Sequence, residues 1–276
     1  MKSKGGKIMV FQAKNGRIRM DNTEMDFVVF GEGSKNLVLI PGIGDGLKTV
    51  RGMALLFSIL YRQYAKSYRV YVFSRKRKLE KGYTTRTMAR DLARGMKVMG
   101  VQRADVIGIS QGGMVAQFLA IDYPSLVNKL VLVSTTAKAG PRIKRRVAKW
   151  IKLVKEGDYQ ELMLDIGEKM YSEDYRRRSG WLFPIGGKLL SGGDRERFCT
   201  MARACVTHDA LAELDKIKAE TLVIGAGRDR VAGSRGTKQL AEGLPGSRFI
   251  LYPDGEHGFY DEVKDFHRTV LKYLNP

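Results

Sequence analysis

Short, wholly apolar runs alternate along this chain with longer stretches whose apolar residues recur at helical spacing. Leu37 to Ile40, Tyr68 to Ser74, Asp105 to Ile109 and Leu130 to Ser134 are runs of the first kind, and Thr221 to Gly225 and Phe249 to Tyr252 follow after an interval. Runs this short and this apolar predict strands buried on both faces. Helical spacing is found over Thr49 to Ala65, Thr84 to Met99, Met114 to Ile121, Ser234 to Gly243 and Asp261 to Leu274, with Thr84 or Thr85 as N-cap of the second. Arg17 to Gly31 instead predicts two short strands folded about an Asp21-Asn22 turn. The alternation predicts an α/β fold: a mostly parallel central sheet with helices on both faces and an N-terminal antiparallel hairpin.

The rhythm breaks after Ser134. Ala137 to His208 shows helical patterning with no clear buried strand. Ile143, Val147, Ile151 and Val154 mark one helix face, Tyr159 to Met170 a second helix, and Asp194 to Val206 a third. Gly186-Gly187 and Gly192-Gly193 are expected to break the run between the last two. The expected organisation is a core of residues 1–136 and 209–276, with a helical lid, 137–208, inserted between two sheet strands. The ends of such an insertion should lie close together.

Composition narrows the class. At 276 residues and 43% hydrophobic the chain can bury a full core. The longest apolar run, Met53 to Tyr61, is too short to span a bilayer, so no transmembrane segment is expected. Met1 to Gln12 lacks the apolar stretch of a secretory signal. The two cysteines, Cys199 and Cys205, match no common metal or redox spacing, so they are expected to be reduced thiols in a cytoplasmic protein with no metal. The net charge of +20 is concentrated in Arg75-Lys76-Arg77-Lys78 and in the run from Arg142 to Lys155. No nucleic-acid-binding motif accompanies these runs, and aromatics are not interleaved with them. They are expected to be solvated faces, with no specific nucleic-acid partner. Oligomeric state is not readable.

The candidate chemistry begins at Gly108-Ile109-Ser110-Gln111-Gly112, which fits G-x-S-x-G between a buried strand and a helix. Turning from strand to helix within about two residues forces the serine into a strained conformation and pushes its hydroxyl out at the strand's C-terminal edge. The following helix aims unpaired N–H groups at the same place. A serine hydroxyl needs a base, and the base an orienting carboxylate. Of the three histidines, His257 lies in a Gly-flanked loop just after the last predicted strand, on the same sheet edge as Ser110. His267 sits within the last helix as a surface residue, and His208 closes the lid with either a structural or a substrate-contacting role. Asp229 follows the strand before, in Gly225-Ala226-Gly227-Arg228-Asp229-Arg230, and is the preferred acid. Its competitor, Asp254, is only three residues from His257 and less easily reaches Nδ1 of a ring that faces Ser110.

In this order, Ser110, Asp229, His257, the chain resembles a lid-bearing serine hydrolase of the α/β-hydrolase superfamily over essentially its whole length from the hairpin onward. The resemblance implies an oxyanion hole formed by the backbone N–H of Gln111 and of Ile43, the latter in the loop Leu39-Ile40-Pro41-Gly42-Ile43-Gly44. It implies no cofactor, a small-molecule acyl substrate and hydrolysis of a carboxylic ester or related acyl bond. A lactonase, thioesterase or carbon–carbon bond hydrolase would use the same residues, and some members of the fold only bind ligands. Two positions depart from the family pattern. Pro41-Gly42 replaces its usual His-Gly, and Ser74-Arg75-Lys76-Arg77 replaces Asp-x-Arg-Gly. Met170, Tyr171, Tyr175, Trp150, Trp181 and Phe183 are expected to form lid core or to line an acyl pocket.

Overall fold

A computed structural model describes residues 12–275. Met1 to Gln12, the stretch read for a secretory signal, lies almost wholly outside that range. Eight strands form one sheet in the spatial order β1-β2-β4-β3-β5-β6-β7-β8. Strands β1 (Lys14–Met20) and β2 (Thr23–Phe30) make the expected antiparallel hairpin, and β2 runs antiparallel to β4. Chain order then gives β3 (Lys35–Ile40), α1 (Ala54–Leu60), β4 (Tyr68–Phe73), α2 (Thr85–Val98), β5 (Ala104–Ile109), α3 (Gln111–Asp122) and β6 (Val127–Val133). Helices α4 (Pro141–Glu156), α5 (Tyr159–Met170), α6 (Glu173–Ser179), α7 (Leu182–Leu190) and α8 (Arg195–Val206) follow without an intervening strand. The sheet resumes with β7 (Glu220–Ala226), α9 (Ser234–Glu242), β8 (Arg248–Tyr252) and α10 (Phe266–Leu274). From β3 to β8 every neighbouring pair is parallel.

The strands are apolar throughout because both faces are covered. Val38, Val106, Leu130, Leu132 and Val223 face α2 and α3, meeting Met88, Leu92, Met96, Val115 and Leu119. Their alternates Leu37, Leu39, Ile107, Val131, Val133 and Ile224 face the other way, onto Tyr64, Phe266 and Val270. Each such fully buried side chain contributes about 1.5–3 kcal/mol relative to exposure. Helix boundaries follow capping: Thr84 Oγ1 accepts from Thr87 N at 3.1 Å to start α2, Pro141 stands in the first turn of α4, and Gly157 ends it in the left-handed conformation.

The ends of the helical insertion meet, with Lys138 and Asp209 in an isolated antiparallel bridge and Ala139 N donating to His208 O at 3.0 Å. Two expectations fail. The stretch from Thr49 to Ala65 is helical only over Ala54–Leu60. Ahead of it the Val50 N–H is drawn to Ser74 Oγ at 2.9 Å, and Gly52 takes φ +79°, so the chain enters as turns. Gly186 and Gly187 do not break a helix but lie inside α7. A Cβ on Gly187 would fall 2.9 Å from the Tyr159 carbonyl oxygen, so this glycine lets α7 approach the start of α5 closely.

Candidate active site

Ser110 lies between β5 and α3 with φ 54° and ψ −119°, a conformation costing a non-glycine residue about 1–3 kcal/mol. Surrounding structure enforces it. Ser110 N donates to Val133 O on β6 at 2.9 Å, and its carbonyl accepts from Gly113 N at 2.9 Å. The flanking glycines permit the turn. A Cβ on Gly108 would lie 2.6 Å from the Gly112 carbonyl oxygen, and one on Gly112 would strike the carbonyls of Ile40 and Pro41.

His257 and Asp229 stand at the same C-terminal edge of the sheet, in the loops that follow β8 and β7. His257 Nε2 is 3.0 Å from Ser110 Oγ, and His257 Nδ1 is 2.8 Å from Asp229 Oδ2. The other Asp229 oxygen accepts from the N–H groups of Val231 at 2.7 Å and Ala232 at 2.8 Å. Burial alone would raise this carboxyl, but His257 beside it and the Val231 N–H hold it below the usual carboxylate range. A carboxylate on Nδ1 leaves Nε2 free to take a proton from the serine hydroxyl.

Two helical turns begin beside Ser110. Ile43 opens a 3-10 turn, Ile43–Gly46, and Gln111 opens α3. First-turn N–H groups have no acceptor within their own helix. Gly42, just ahead of Ile43, packs against Ser110, since a Cβ built on it would lie 3.6 Å from Ser110 Cβ.

Behind these turns lies a buried ionic network. Asp45, in the 3-10 turn, accepts from Arg75 N and from Arg197 Nη2, each at 2.9 Å, and Arg197 also donates to the Asp45 carbonyl. Arg197, on α8, reaches the carbonyls of Arg75 at 2.8 Å and Lys76 at 3.0 Å. Arg75 Nη2 donates to Gln111 Oε1 at 3.3 Å, while Gln111 Nε2 donates to the Met201 carbonyl at 2.7 Å. Burial pushes the Arg75 guanidinium below its ordinary value, and Asp45 opposes that shift. Lys76 pairs with Glu80 at 2.7 Å and with buried Asp91 at 3.3 Å. The first half of the Arg75–Lys78 run is therefore not a solvated face: both Arg75 and Lys76 are 4% exposed, because carboxylates wait for them in the core.

A profile of the family described as the alpha/beta hydrolase fold matches residues 35–263. The chain belongs to this family. YisY of Bacillus subtilis (strain 168), a protein of the AB hydrolase superfamily, is 27% identical to this α/β hydrolase over 209 residues, 70% of this chain and 75% of YisY. RutD of Caulobacter sp. (strain K31), for which carbamate hydrolysis is proposed, is 27% identical over 206 residues, 72% of this chain and 75% of its own length. The crystal structure of an enol-lactonase from Burkholderia xenovorans LB400 superposes with a TM-score of 0.81 at 19% identity, covering 95% of this chain and all of the lactonase chain.

Other candidate residues of this α/β hydrolase lie elsewhere. Asp254 is turned to solvent and pairs with Arg228 at 2.6 Å, so it does not reach His257. Arg230 pairs with Glu256, which leaves Asp229 unclaimed by either neighbouring arginine side chain. His208 is buried beneath the insertion, 2.9 Å from Thr85 Oγ1 and edge-on to Phe118, and burial pushes its imidazole down to about 4. His267, expected at the surface, is half-buried: it packs edge-on against Tyr64 and Phe266, with Nδ1 3.1 Å from Tyr64 Oη. Trp150 belongs to the core of the insertion and donates to Asp165 at 2.8 Å, whereas Trp181 is 66% exposed. Tyr171 stacks on Tyr175 and on Phe183. Among the described residues no His, Cys, Asp and Glu cluster is composed to hold a metal ion, and no helix is long and apolar enough to cross a membrane.

Three supporting side chains were not foreseen. Ser134 ends β6 as Ser110 ends β5, also at positive φ, and its hydroxyl donates to the His257 carbonyl at 2.8 Å. Arg142 of α4 donates to the Asp229 carbonyl at 2.7 Å. Arg197 carries the network under Asp45. Only Ser134 had a sequence signal, a polar residue at the end of a buried strand.

Proposed function

We propose that this chain is a serine hydrolase that cleaves a carboxylic ester or related acyl bond, with Ser110 as nucleophile, His257 as base and Asp229 as orienting acid. The observation that carries the reading is the unbroken hydrogen-bonded chain from Ser110 Oγ through His257 to Asp229. In this scheme His257 Nε2 takes the hydroxyl proton as Ser110 Oγ bonds to the substrate carbonyl carbon. The negative oxygen is held by the Ile43 and Gln111 N–H groups, and Asp229 stabilises the imidazolium. His257 returns the proton to the leaving group, leaving an acyl-serine. Water, deprotonated by His257, then releases the acid and restores the serine. One oxyanion donor contributes about 3 kcal/mol to such a barrier.

In the same reading the insertion, residues 137–208, acts as a lid over the acyl pocket, and Cys199 and Cys205, both buried free thiols, suit a reducing cytoplasm. The mechanistic test is Ser110→Ala. Turnover of a short-chain aryl ester should fall on the order of 10⁴-fold or more with the fold intact. Unchanged hydrolysis by this variant rejects the nucleophile. Absence of both turnover and a serine-directed phosphonate adduct in the unmodified protein would favour a ligand-binding role instead.

A further inference from the structure

The basic run from Arg142 to Lys155 is divided between two sides of α4. Arg142, Arg145, Arg146 and Lys149 recur three, four and seven residues apart, which sets them on one side of α4. With Lys169 at the end of α5 and Arg230 in the loop after β7, they line a cavity of about 460 Å³ whose lining is wholly cationic. Lys144, Lys152 and Lys155 of the same helix are exposed and do not line it.

Charge around the cavity is only partly answered. Asp165 takes Arg146 at 3.1 Å and Lys149 at 2.6 Å, Glu161 also takes Lys149, and Glu168 takes Lys169. Glu256 takes Arg230 at 3.1 Å. Among the described residues no carboxylate pairs with Arg142 or Arg145, and Arg146 Nε is buried without a hydrogen-bond partner. Arg142 is instead committed to the Asp229 carbonyl, which fixes one wall of the cavity to the loop behind the candidate acid. Four carboxylates thus answer six cations, and the surplus matches a doubly charged anion.

We propose that this cavity binds the phosphate group of a small phosphorylated molecule. A phosphate monoester carries roughly −1.5 to −2 charge at neutral pH and three acceptor oxygens, and guanidinium forks bind such a group two hydrogen bonds at a time. Convergence of cations from three elements on one open depression of about 460 Å³ suits a compact ligand better than a long strand of nucleic acid or a bilayer, which would need a charged face extending well beyond it. The inference stands apart from the reading of Ser110.

The test is isothermal titration calorimetry of the full chain with inorganic pyrophosphate and with phenyl phosphate. Two double variants that remove equal charge are compared: Arg142→Gln with Arg145→Gln, and Lys144→Gln with Lys152→Gln. Saturable binding at one site is expected, weakened about tenfold or more by the arginine pair and less than about twofold by the lysine pair. Because Arg142 also braces the Asp229 loop, Arg145→Gln alone is measured beside it and should still weaken binding by about threefold. Equal losses in the two double variants would reduce the effect to bulk charge and overturn the proposal, as would absence of saturable binding. Binding of duplex DNA or anionic vesicles through the same arginines, with neither phosphate probe competing, would overturn it too.

Discussion

Asp45 is the residue whose loss should cost this fold most for the fewest atoms changed. Asp45→Asn keeps the size and one acceptor oxygen but removes the carboxylate lying between Arg75 and Arg197, in surroundings where all three side chains are 4% exposed or less. At an effective dielectric near 20, an attraction across about 4 Å is roughly 4 kcal/mol, and Asp45 makes one such contact with Arg75 at 4.0 Å and a closer one, 2.9 Å, with Arg197. The asparagine recovers part of this through its dipole, and the fold no longer carries the cost of burying a carboxylate. The net loss should fall near the range for breaking a buried pair, about 3–5 kcal/mol. Two guanidiniums would then face one another without a counterion, so Arg197→Met added to Asp45→Asn should cost less than the two changes summed, by about 1 kcal/mol or more. Because Asp45 is two residues from Ile43 in one short turn, turnover of an aryl ester by the folded fraction should also drop, by about tenfold, if the Ile43 N–H is an oxyanion donor as proposed. Urea unfolding gives the stabilities, through midpoints at constant slope. A loss below about 1 kcal/mol for Asp45→Asn, or strict additivity in the double variant, would refute the idea that this network is held together by charge.

Three further outcomes are expected. Asp229→Asn should lower kcat on the order of 10⁴-fold through loss of the correct imidazole tautomer, while Asp254→Asn leaves kcat unchanged; equal effects in steady-state kinetics would undo the choice between these acids. His208 gains a proton near 6.5 when unfolded but only near 4 in the fold, so the stability it contributes is complete above 6.5 and lost as pH falls toward 4. Urea melts at neutral pH and near pH 5 should therefore show a wild-type loss about 2 kcal/mol greater than that of His208→Gln, and parallel losses would count against it. Gly112→Ala should cost at least about 1–3 kcal/mol and most of the turnover, because the added methyl group meets the Ile40 and Pro41 carbonyls and not a movable side chain; a thermal midpoint equal to that of wild type would contradict this.

Strand positions were legible because a parallel sheet covered on both faces writes itself as wholly apolar runs, as Leu130 to Val133 shows. The meeting of Ser110, His257 and Asp229 was legible for a related reason: each lies in the turn or loop that follows a strand, and parallel strands end at the same edge. Burial of charge was not legible. Nothing in Arg75-Lys76-Arg77-Lys78 tells which cations turn inward, since the answer depends on Asp45, Asp91 and Arg197, residues remote in the chain. Gly186 and Gly187 misled for a similar reason. Their local cost to a helix is real, but the contact they permit between α7 and α5 is a tertiary effect that outweighs it.

The same remoteness bears on how the helical insertion relates to the sheet. Arg197 comes from α8, yet its hydrogen bonds hold the backbone after β4 and the turn that starts at Ile43. Phe198 beside it is fully buried, and a Cβ on Gly46 of that turn would fall 3.0 Å from Phe198 Cα, so helix and turn touch through backbone. Gln111, the first residue of α3, is tied by its side chain to the Met201 carbonyl on the same helix. Both turns next to Ser110 therefore rest on α8. Were the insertion to open as a lid, α8 should stay in place, because moving it would strip Asp45 of a counterion and Gln111 of its anchor. If the insertion moves as a lid to admit a substrate, the motion should fall to α6 and α7, beyond the hydrogen bonds that Tyr171 and Ser172 make to Asp261 and Glu262.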